Sequence, residues 1–554
     1  LLADDFAIGD MSSYNRESSE AYQFDPYTPE LDSLANEGIT FANFYANSGV
    51  CSPTRAAVLT GRYPSHSRVR MHAALNPSSS VNKDKGTVTY LGEGESTETI
   101  TTLSKVFQDS GWITGHFGKW HLGFGGDSLR PDDSFYGIDE YQVYAHNEWP
   151  NDEKTIQFPT ASRTHEKEYN NQAQLFPAYS TQLIINRTIE FIQDRIDRNR
   201  ENFFVNVWLQ NSHAPLNVAL DYDQVGDNGY PDEENPFYMN DGLVGKEKKI
   251  SDALPLQVYR ALAREHSRGV KRLVDFVDEN GLGEEVLFLY TSDNGPESPH
   301  KYFIGKGSSG PFRGDKRSLY DGGIRVPGFA RWKGHIPEQR VVMTPVSTID
   351  IYPTVIRLAE LDLENVANFE SVQGRDLSCL IIGDCSDDEW LKQLLQDSGS
   401  TNEGEILWER REDFAGDCLS WSARFSVRWK NYKLHLQPED KSERRMTEST
   451  KWARAELYDL SSDSLESTNL LLVRPGDEDI QAVTSQMIKL LLKYTESDEY
   501  DVSLWPSSMV NNIDYTRASF DVGAPCWDFN GGKVNDAMEM ISIGEIELSQ
   551  IIGS

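Results

Sequence analysis

Positive charge is scarce in this sequence. Its 53 Lys and Arg residues stand against 87 Asp and Glu residues, which gives a formal net charge of −34 at pH 7. Nucleic acids and anionic membranes both bind to basic protein surfaces, so this charge balance argues against either partner. An anionic substrate would have to be held by a local cluster of cationic residues.

Long apolar runs are also missing. No stretch approaches the roughly 18 consecutive apolar residues that a membrane-spanning helix needs, so we predict a soluble protein with no membrane span. At 554 residues the chain is longer than one ordinary core, which predicts two domains, one of them large. The first residues, LLADD, look like the end of a buried strand, so we expect any signal peptide to lie outside this sequence.

Cysteine is scarce as well, with five residues in 554. So few cysteines cannot form a disulfide framework that holds the fold. Cys379 and Cys385 close a short loop and could pair, and Cys418 with Cys526 is a second pairing. Cys51 is then left over, and an odd cysteine suggests a chemical role. The alternative that all five cysteines are reduced core residues stays open.

What the sequence does contain is a regular alternation of apolar runs and helical patterns. The apolar runs do not alternate with polar residues, which predicts a largely parallel sheet covered by helices on both faces. The predicted strands are 1–3, 38–45, 112–117, 203–209, 286–290 and 326–331. The predicted helices are 28–37, 101–110, 178–195 and 255–279.

The pattern changes after about residue 390. The run WSARFSVRWKNYKLHL alternates in the manner of an antiparallel sheet, and a helix is predicted near 480–495. An acidic, serine-rich stretch at 385–405 is the predicted junction. The predicted fold class is therefore α/β, with a large mixed, mostly parallel sheet between helices in a domain at 1–390 and a smaller α+β domain at 391–554.

Polar residues directly follow four of the predicted strands: Asp4 and Asp5, Lys119 and His121, His213, and Asp293 and Asn294. Ligands bind beyond the carboxyl ends of strands in open α/β sheets, so we expect these side chains to converge. Three carboxylates and one amide are hard oxygen donors that suit Ca²⁺ or Mg²⁺. Lys119 and His121 are two residues apart and are expected on one face of a strand. For any single aspartate or histidine, a cap or a buried core position is the alternative.

The stretch CSPTRAAVLTG at residues 51–61 is typical of a short helix. Pro53 suits its first turn and Gly61 suits its end. Cys51 then lies at the N-terminus, where free N–H groups and the helix dipole favour an anion, and Arg55 lies one turn further on. Proline and alanine also start helices without any function, so this stretch alone is weak evidence.

Taken together, the motifs resemble the type I sulfatase family, which belongs to the alkaline phosphatase superfamily. The stretch CSPTRAAVLTG is joined, in that family's order, by ADD, GKWHLG, SHAP, SDNG and GDKRSLYDGG. The resemblance covers about residues 1–390 and is closest to arylsulfatases and galactosamine-6-sulfatases.

The resemblance implies that a maturation enzyme oxidises Cys51 to formylglycine, which works as its hydrate. One hydroxyl of the hydrate would attack the sulfate ester, and collapse from the other would expel sulfate. A Ca²⁺ ion is implied, and the matching ligands, besides Cys51, are Asp4, Asp5, Asp293 and Asn294.

The resemblance also implies roles for the remaining motif residues. Arg55 and Lys119 would hold the formylglycine hydrate, with His121 as the base that assists its collapse. His213 and Lys316 would contact the sulfate ester, and His213 would protonate the leaving oxygen. A secreted or otherwise extracytoplasmic location, in the periplasm, the lysosome or outside the cell, is implied in the same way.

Two basic stretches, SHSRVRMH and SPHKYFIGKG, lie beside the motifs of this acidic chain. We hypothesise that they bind a sulfated carbohydrate, and a solvated basic face is the alternative. The candidate substrate-binding residues are His66, Arg68, Trp120, His300, Lys301 and Tyr302.

Two other functions remain open from the sequence. A phosphonate or phosphodiester hydrolase of the same superfamily would resemble this pattern, although the Asp293–Asn294 pair favours sulfate. A sulfated-glycan binding protein that has lost turnover would keep the fold without the chemistry.

Overall fold

The computed structural model describes residues 1–14, 28–67, 101–122, 133–144, 156–158, 160–164, 167–169, 174–176, 180–210, 212–213, 253–297, 307–362, 366–396, 404–409, 425–438 and 452–496. The helices within these residues are α1 (Pro29–Asn36), α2 (Cys51–Thr60), α3 (Leu103–Asp109), α4 (Asp133–Tyr136), α5 (Ser180–Asp197), α6 (Ala253–Glu279), α7 (Asp321–Ile324), α8 (Ile351–Leu358), α9 (Ser378–Ile382), α10 (Asp387–Gln396), α11 (Leu470–Val473) and α12 (Glu478–Glu496). Short 3-10 helices lie at Ile8–Asp10, Ser12–Tyr14, Thr348–Asp350 and Phe369–Ser371.

The strands are β1 (Leu2–Ala3), β2 (Ile39–Phe41), β3 (Phe44–Tyr45), β4 (Ile113–Lys119), β5 (Glu140–Tyr144), β6 (Ile156–Phe158), β7 (Thr160–Thr164), β8 (Lys167–Tyr169), β9 (Gln174–Phe176), β10 (Phe203–Trp208), β11 (Phe288–Ser292), β12 (Arg325–Val326), β13 (Gly328–Arg331), β14 (Arg340–Val342), β15 (Val346–Ser347), β16 (Ile406–Glu409), β17 (Phe425–Trp429), β18 (Tyr432–Pro438) and β19 (Trp452–Asp459).

The described residues form a main sheet of ten strands in the order β14-β2-β13-β11-β1-β10-β4-β5-β7-β8. Its centre is parallel, because β11, β1, β10, β4 and β5 all run in the same direction. β13 pairs antiparallel with both β11 and β2, and β7 pairs antiparallel with both β5 and β8. The predicted fold class, a mixed and mostly parallel sheet, is confirmed.

Helices cover both faces of this sheet. Successive residues of a strand point to opposite faces, and Trp208 of β10 accordingly packs in a different hydrophobic cluster from its neighbour Val207. Leu2 and Ala3 of β1 divide in the same way. The Trp208 side is covered by α2, α3 and α8, and the Val207 side by α1, α5 and α6. The central strands are therefore buried on both faces, as their continuous apolar runs predict.

Two of the predicted strands are each divided in the structure. The range 38–45 forms β2 and β3, which belong to different sheets, because the chain turns at Ala42 and Asn43 between them. The range 326–331 forms β12 and β13, which are separated by Pro327. Proline has no N–H to donate to a strand ladder, so a change of sheet at this residue has a simple physical cause.

The C-terminal part forms a four-stranded antiparallel sheet, β16-β17-β18-β19, with α12 packed against it. This agrees with the predicted antiparallel sheet and helix. Its hydrophobic cluster also includes Ala57 of α2 and Tyr63 just after it, so the second sheet packs directly against the region of α2.

The predicted junction at 385–405 is not a linker along its whole length, because α10 (Asp387–Gln396) lies within it. Trp390 of α10 is buried in the same cluster as residues of the main sheet, and the Arg375 guanidinium lies 5.3 Å from its ring. Packing of the first domain therefore extends into α10, and the domain boundary near residue 390 stays a prediction. The disulfide expected between Cys379 and Cys385 is present, whereas Cys418 and Cys526 lie outside the described residues.

Among the helices that the structure describes, none is both long and apolar enough to cross a membrane.

Candidate active site

The motif residues meet at the carboxyl ends of four adjacent parallel strands, β11, β1, β10 and β4. Asp4 and Asp5 follow β1, His213 follows β10, Lys119 ends β4, and Asp293 and Asn294 follow β11. These strands are neighbours in space although they are far apart in the chain. The predicted convergence at one edge of the sheet is therefore confirmed.

A cluster of carboxylates and cations lies at the centre of this edge. One oxygen from each of Asp4, Asp5 and Asp293 lies within 4.8 Å of the others. Arg55 donates to Oδ2 of Asp293 from Nε at 3.0 Å and from Nη2 at 2.6 Å. Lys119 Nζ donates to Oδ2 of Asp4 at 2.7 Å. All five side chains are buried, so their charges interact in a medium of low polarity.

This cluster shifts the acid strength of two of its carboxyl groups in opposite directions. Burial raises the pKa of Asp293 well above its ordinary value, and the charge of Asp4 raises it further. Burial would also raise the pKa of Asp4, but the charges of Lys119, His213 and Arg55 outweigh it and hold that pKa below its ordinary value. A cation bound beside Asp293 would add to the charge of Arg55 and favour the ionised form of this carboxyl group.

Within the described residues, two buried oxygen atoms of the cluster accept no hydrogen bond, Oδ1 of Asp4, which has only the Arg55 guanidinium at 3.5 Å, and Oδ1 of Asn294. The amide nitrogen of Asn294 is used, because it donates to Oδ1 of Asp5 at 2.6 Å and to the Gly295 carbonyl at 2.8 Å. Buried polar atoms without a partner are rare in proteins and call for a ligand or a functional reason. Carboxylate and amide oxygens are the ligands that Ca²⁺ and Mg²⁺ prefer, so this donor set fits a hard divalent cation.

Helix α2 brings Cys51 to the edge of this cluster. Cys51 is its first residue and is buried, and the helix ends at Gly61, whose left-handed φ of 64° suits a residue without a Cβ. Sγ of Cys51 lies 3.3 Å from Nδ1 of His121. Arg55 lies one turn further along α2, and its guanidinium lies over the Trp208 ring at 5.0 Å. The helix start predicted from the sequence is confirmed.

Lys316 and His213 form the opposite side of the site. Nζ of Lys316 donates to the Asp5 carboxylate at 2.8 Å and lies 3.1 Å from Nε2 of His213. A nitrogen of His213, Sγ of Cys51 and an oxygen of Asp4 lie within 4.8 Å of one another. All six residues with predicted catalytic roles and all four predicted oxygen ligands therefore belong to one connected group.

Several residues at the site have a left-handed backbone, although none of them is glycine. The φ angles are 55° at Asp5, 53° at His121, 85° at Ser212 and 76° at Arg317. Such conformations cost on the order of 1–3 kcal/mol each and persist where the surroundings enforce them. β4 ends at Lys119, so the strand alternation that was expected to align His121 with Lys119 does not operate there.

Three residues next to the predicted set were missed by sequence reasoning, and they are Glu297, Arg317 and Ser212. Glu297 is buried and contacts both Lys316 and Arg317. Ser212 donates from Oγ to the carbonyl of Asp4 at 2.8 Å. Their signals are weak, because each is only a polar residue a few positions from a motif, as in SDNGPE and DKR.

The predicted substrate-binding residues that the structure describes are not part of the connected group formed by the catalytic residues and the oxygen ligands. Trp120 is fully buried against His116, Tyr136 and Trp208, a packing typical of a core residue, and its contact with substrate stays a prediction. His66 is buried against the Tyr494 ring of α12, which makes it a packing residue rather than a surface cation. The others, Arg68, His300, Lys301 and Tyr302, lie outside the described residues.

Comparisons with known proteins agree with this geometry. The sequence profile of the family described as Sulfatase matches residues 1–361. The chain is 28% identical over 418 residues to arylsulfatase G of Mus musculus, covering 69% of this chain and 68% of that protein. It is 30% identical over 400 residues to arylsulfatase A of Homo sapiens, covering 69% of this chain and 67% of that protein.

A similar fold occurs in Ps i-CgsB, which was solved in complex with k-i-k-neocarrahexaose. The TM-score is 0.64 at 20% sequence identity, and the superposition covers 93% of this chain and 97% of the other. At this identity the likeness is one of fold. Together with the match over residues 1–361, it leads to one conclusion, that this chain belongs to the sulfatase family and is a sulfuric ester hydrolase.

Proposed function

We propose that this sulfatase hydrolyses sulfate monoesters of a sulfated carbohydrate, with a formylglycine made from Cys51 and a bound Ca²⁺. The observation that carries the proposal is the position of Cys51. Its Sγ lies within 4.8 Å of both an oxygen of Asp4 and a nitrogen of His213. A nucleophile at that position would have a cation ligand on one side and a proton donor on the other.

The cation would be held by the oxygens of Asp4, Asp5, Asp293 and Asn294, together with the modified side chain of Cys51. When bound, it would polarise the sulfate ester and lower the pKa of the attacking hydroxyl. Arg55 and Lys119 compensate part of the negative charge of these carboxylates. They would therefore keep the ligands together in a site from which water is largely excluded.

Cys51, once oxidised by a maturation enzyme, would supply a hydrated aldehyde with one hydroxyl for attack on sulfur and one for expulsion of sulfate. His121 would take the proton during that expulsion, since its Nδ1 lies 3.3 Å from Sγ of Cys51. Arg55 and Lys119 would orient the hydrate. His213 would protonate the leaving oxygen, and Lys316 beside it would bind the ester.

The substrate proposed for this site is a sulfated carbohydrate. It is supported by the basic stretches beside the motifs and by the shared fold with a protein that binds k-i-k-neocarrahexaose. The secreted or extracytoplasmic location is proposed on the same footing. The disulfide between Cys379 and Cys385 supports it, because disulfides persist mainly in oxidising compartments.

The proposal is tested with protein from a host that makes formylglycine. Mass spectrometry of the peptide containing Cys51 should show the aldehyde, and a thiol in every molecule would contradict the proposed nucleophile. Desulfation of a panel of sulfated oligosaccharides, with an aryl sulfate in parallel, tests the substrate class. Cleavage of the aryl ester with no sugar desulfated would refute the carbohydrate assignment. Cleavage of phosphonate esters alone would favour the phosphonate hydrolase.

A further inference from the structure

Glu297 is a buried acid to which the proposed mechanism assigns no role. It is 3% exposed and lies three residues after Asn294, in the segment that follows β11. Oε1 accepts a short hydrogen bond from Nη1 of Arg317, and Oε2 accepts one from Nη2 at 3.1 Å. Oε2 also lies 3.4 Å from Nζ of Lys316. One carboxylate thus binds two neighbouring cations.

Among the residues that the structure describes, the ammonium of Lys316 has three partners, which are Asp5, His213 and Glu297. Asp5 is also a proposed cation ligand, and His213 is a proposed proton donor. Glu297 is therefore the partner of Lys316 that has no proposed role towards cation or substrate. Its carboxylate can therefore hold the ammonium of Lys316 even while Asp5 binds the proposed cation.

The surroundings of Glu297 keep it charged and in place. Burial would raise its pKa, but the charges of Lys316 and Arg317 outweigh it and lower that pKa to about 2. The backbone N–H of Arg317 donates to the Gly49 carbonyl at 2.6 Å, and that of Lys316 donates to the Pro296 carbonyl at 2.8 Å. The two cations and the acid are therefore fixed to each other and to the chain just before Cys51.

We propose that Glu297, held by Arg317, is a positioning residue that fixes the ammonium of Lys316 beside His213, where the sulfate ester is bound. The inference rests on the proposed function for the position of the ester. Glu297 is not one of the residues proposed to hold the cation or the ester, and it contacts Lys316 and Arg317, so its effect would pass through Lys316. Its removal should therefore matter only while Lys316 is present.

A double-mutant cycle tests this dependence. E297Q should lower kcat by about 10- to 100-fold with KM changed less than about threefold, because a small displacement of a group that contacts the ester impairs turnover. It should also weaken binding of inorganic sulfate, measured by calorimetry, by about fivefold. In the K316A background, E297Q should change either quantity by less than about twofold, because the residue through which it acts is gone.

E140Q is the matched control. Glu140 is also buried and accepts from Arg195 at 3.1 Å, but it lies at the start of β5, at the edge of the sheet opposite the site. Normalised to folded protein, its kcat and KM should stay within about twofold of wild type. E297D, which keeps the charge, should recover part of the activity that E297Q loses.

Equal losses from E297Q in the wild-type and K316A backgrounds would overturn the inference, as would a loss no larger than that of E140Q. If the wild type is active and either result is found, the positioning role of Glu297 is refuted and the proposed function stands. If the wild type cleaves no sulfate ester, the proposed function fails, and the sulfate-binding cycle still decides the role of Glu297. A wild type that does not bind sulfate at all refutes both.

Discussion

Two clusters of buried charges in this chain invite comparison. The first, which we call the catalytic cluster, consists of Asp4, Asp5, Cys51, Arg55, Lys119, Asp293 and Asn294. The second, which we call the interface cluster, joins α7 to the C-terminal sheet and consists of Asp321, Lys433, His435 and Glu466. Every member of both clusters is almost completely shielded from water. The two clusters differ in how their oxygen atoms are used.

In the interface cluster the two carboxylates have all their oxygens occupied. Asp321 accepts from Nζ of Lys433 at 2.6 Å and from the Tyr45 hydroxyl at 3.1 Å. One oxygen of Glu466 lies 2.7 Å from Nε2 of His435. The other accepts a hydrogen bond from the backbone N–H of Asp321 at 2.6 Å. The catalytic cluster, by contrast, leaves one oxygen of Asp4 and one of Asn294 without a hydrogen bond.

The difference separates a structural cluster from a functional one. Carboxylates whose oxygens all have protein partners stabilise the contact between two parts of a fold, and they need nothing further. Buried oxygens that accept no hydrogen bond cost free energy in the absence of a ligand, so their retention indicates that something binds there. Charge and burial alone would not have distinguished the two clusters.

The largest expected effect comes from the catalytic cluster. C51A should lower kcat/KM on a sulfate ester by more than about 1,000-fold, because alanine lacks the thiol whose oxidation would give the aldehyde of the proposed nucleophile. The melting temperature should change by less than about 4 °C, since one small side chain is shortened. Kinetics together with calorimetry measure both. Retention of more than a tenth of the activity would break the assignment of this cluster to catalysis.

The interface cluster should show the opposite behaviour. K433M leaves the carboxylates of Asp321 and Glu466 buried without their cation, so the free energy of unfolding should fall by about 3–5 kcal/mol. Urea denaturation measures this change. K430M, at an exposed lysine in the turn between β17 and β18, is the matched control and should cost less than about 0.5 kcal/mol. Equal losses of stability in K433M and K430M would contradict a structural role for the interface cluster.

Added Ca²⁺ sharpens the comparison further. At free Ca²⁺ about 100 times its dissociation constant, the wild type should gain about 2.7 kcal/mol of stability over protein in chelator. D293N should lose most of that gain, because it removes one charged ligand, whereas K433M should keep it. Thermal denaturation across a Ca²⁺ titration, with Mg²⁺ in parallel, provides the measurement. A wild type indifferent to both ions would contradict the cation site.

The smallest effect concerns His116, which packs between Trp120 and Trp208 behind the catalytic cluster. Burial lowers its pKa from 6.5 to about 3, so the unfolded chain takes up this proton at a higher pH than the folded one. The stability that the neutral ring contributes is complete above pH 6.5 and is lost as the pH falls towards 3.

Between pH 7 and pH 5, H116F should therefore lose about 2 kcal/mol less stability than the wild type does. Urea denaturation at the two pH values measures the difference. H335F, at an exposed histidine, is the control and should follow the wild type. If H116F does so too, the buried ring does not contribute to the acid sensitivity of this part of the molecule.

The sequence allowed the sheet and most of the site to be predicted for one physical reason. Continuous apolar runs identify strands buried on both faces, and the residues that follow such parallel strands must meet at one edge. Asp4, His213 and Asp293 could be grouped on that basis from the sequence alone. The position of Cys51 at a helix start followed from the proline and glycine around it, whereas its chemical role followed from the resemblance to sulfatases.

Other features had no local signal. Trp120 was predicted to assist substrate binding, and its ring packs among aromatic residues of the core. His66 was predicted to bind substrate as well, and it is buried against Tyr494 of α12. Glu297 was missed because its two cationic partners lie about twenty residues further along the chain.

The sequence by itself determined which side chains are available for chemistry and at which edge of the sheet they gather, since both depend on residue type and on short-range pattern. The tertiary structure alone decided which of the buried charges pair with each other and which of the oxygens described here accept no hydrogen bond. That outcome depends on distances of a few ångströms between segments hundreds of residues apart, such as those of Asp4 and Asp293. Hydrogen bonds and ion pairs change strongly over such distances, and local sequence does not encode them.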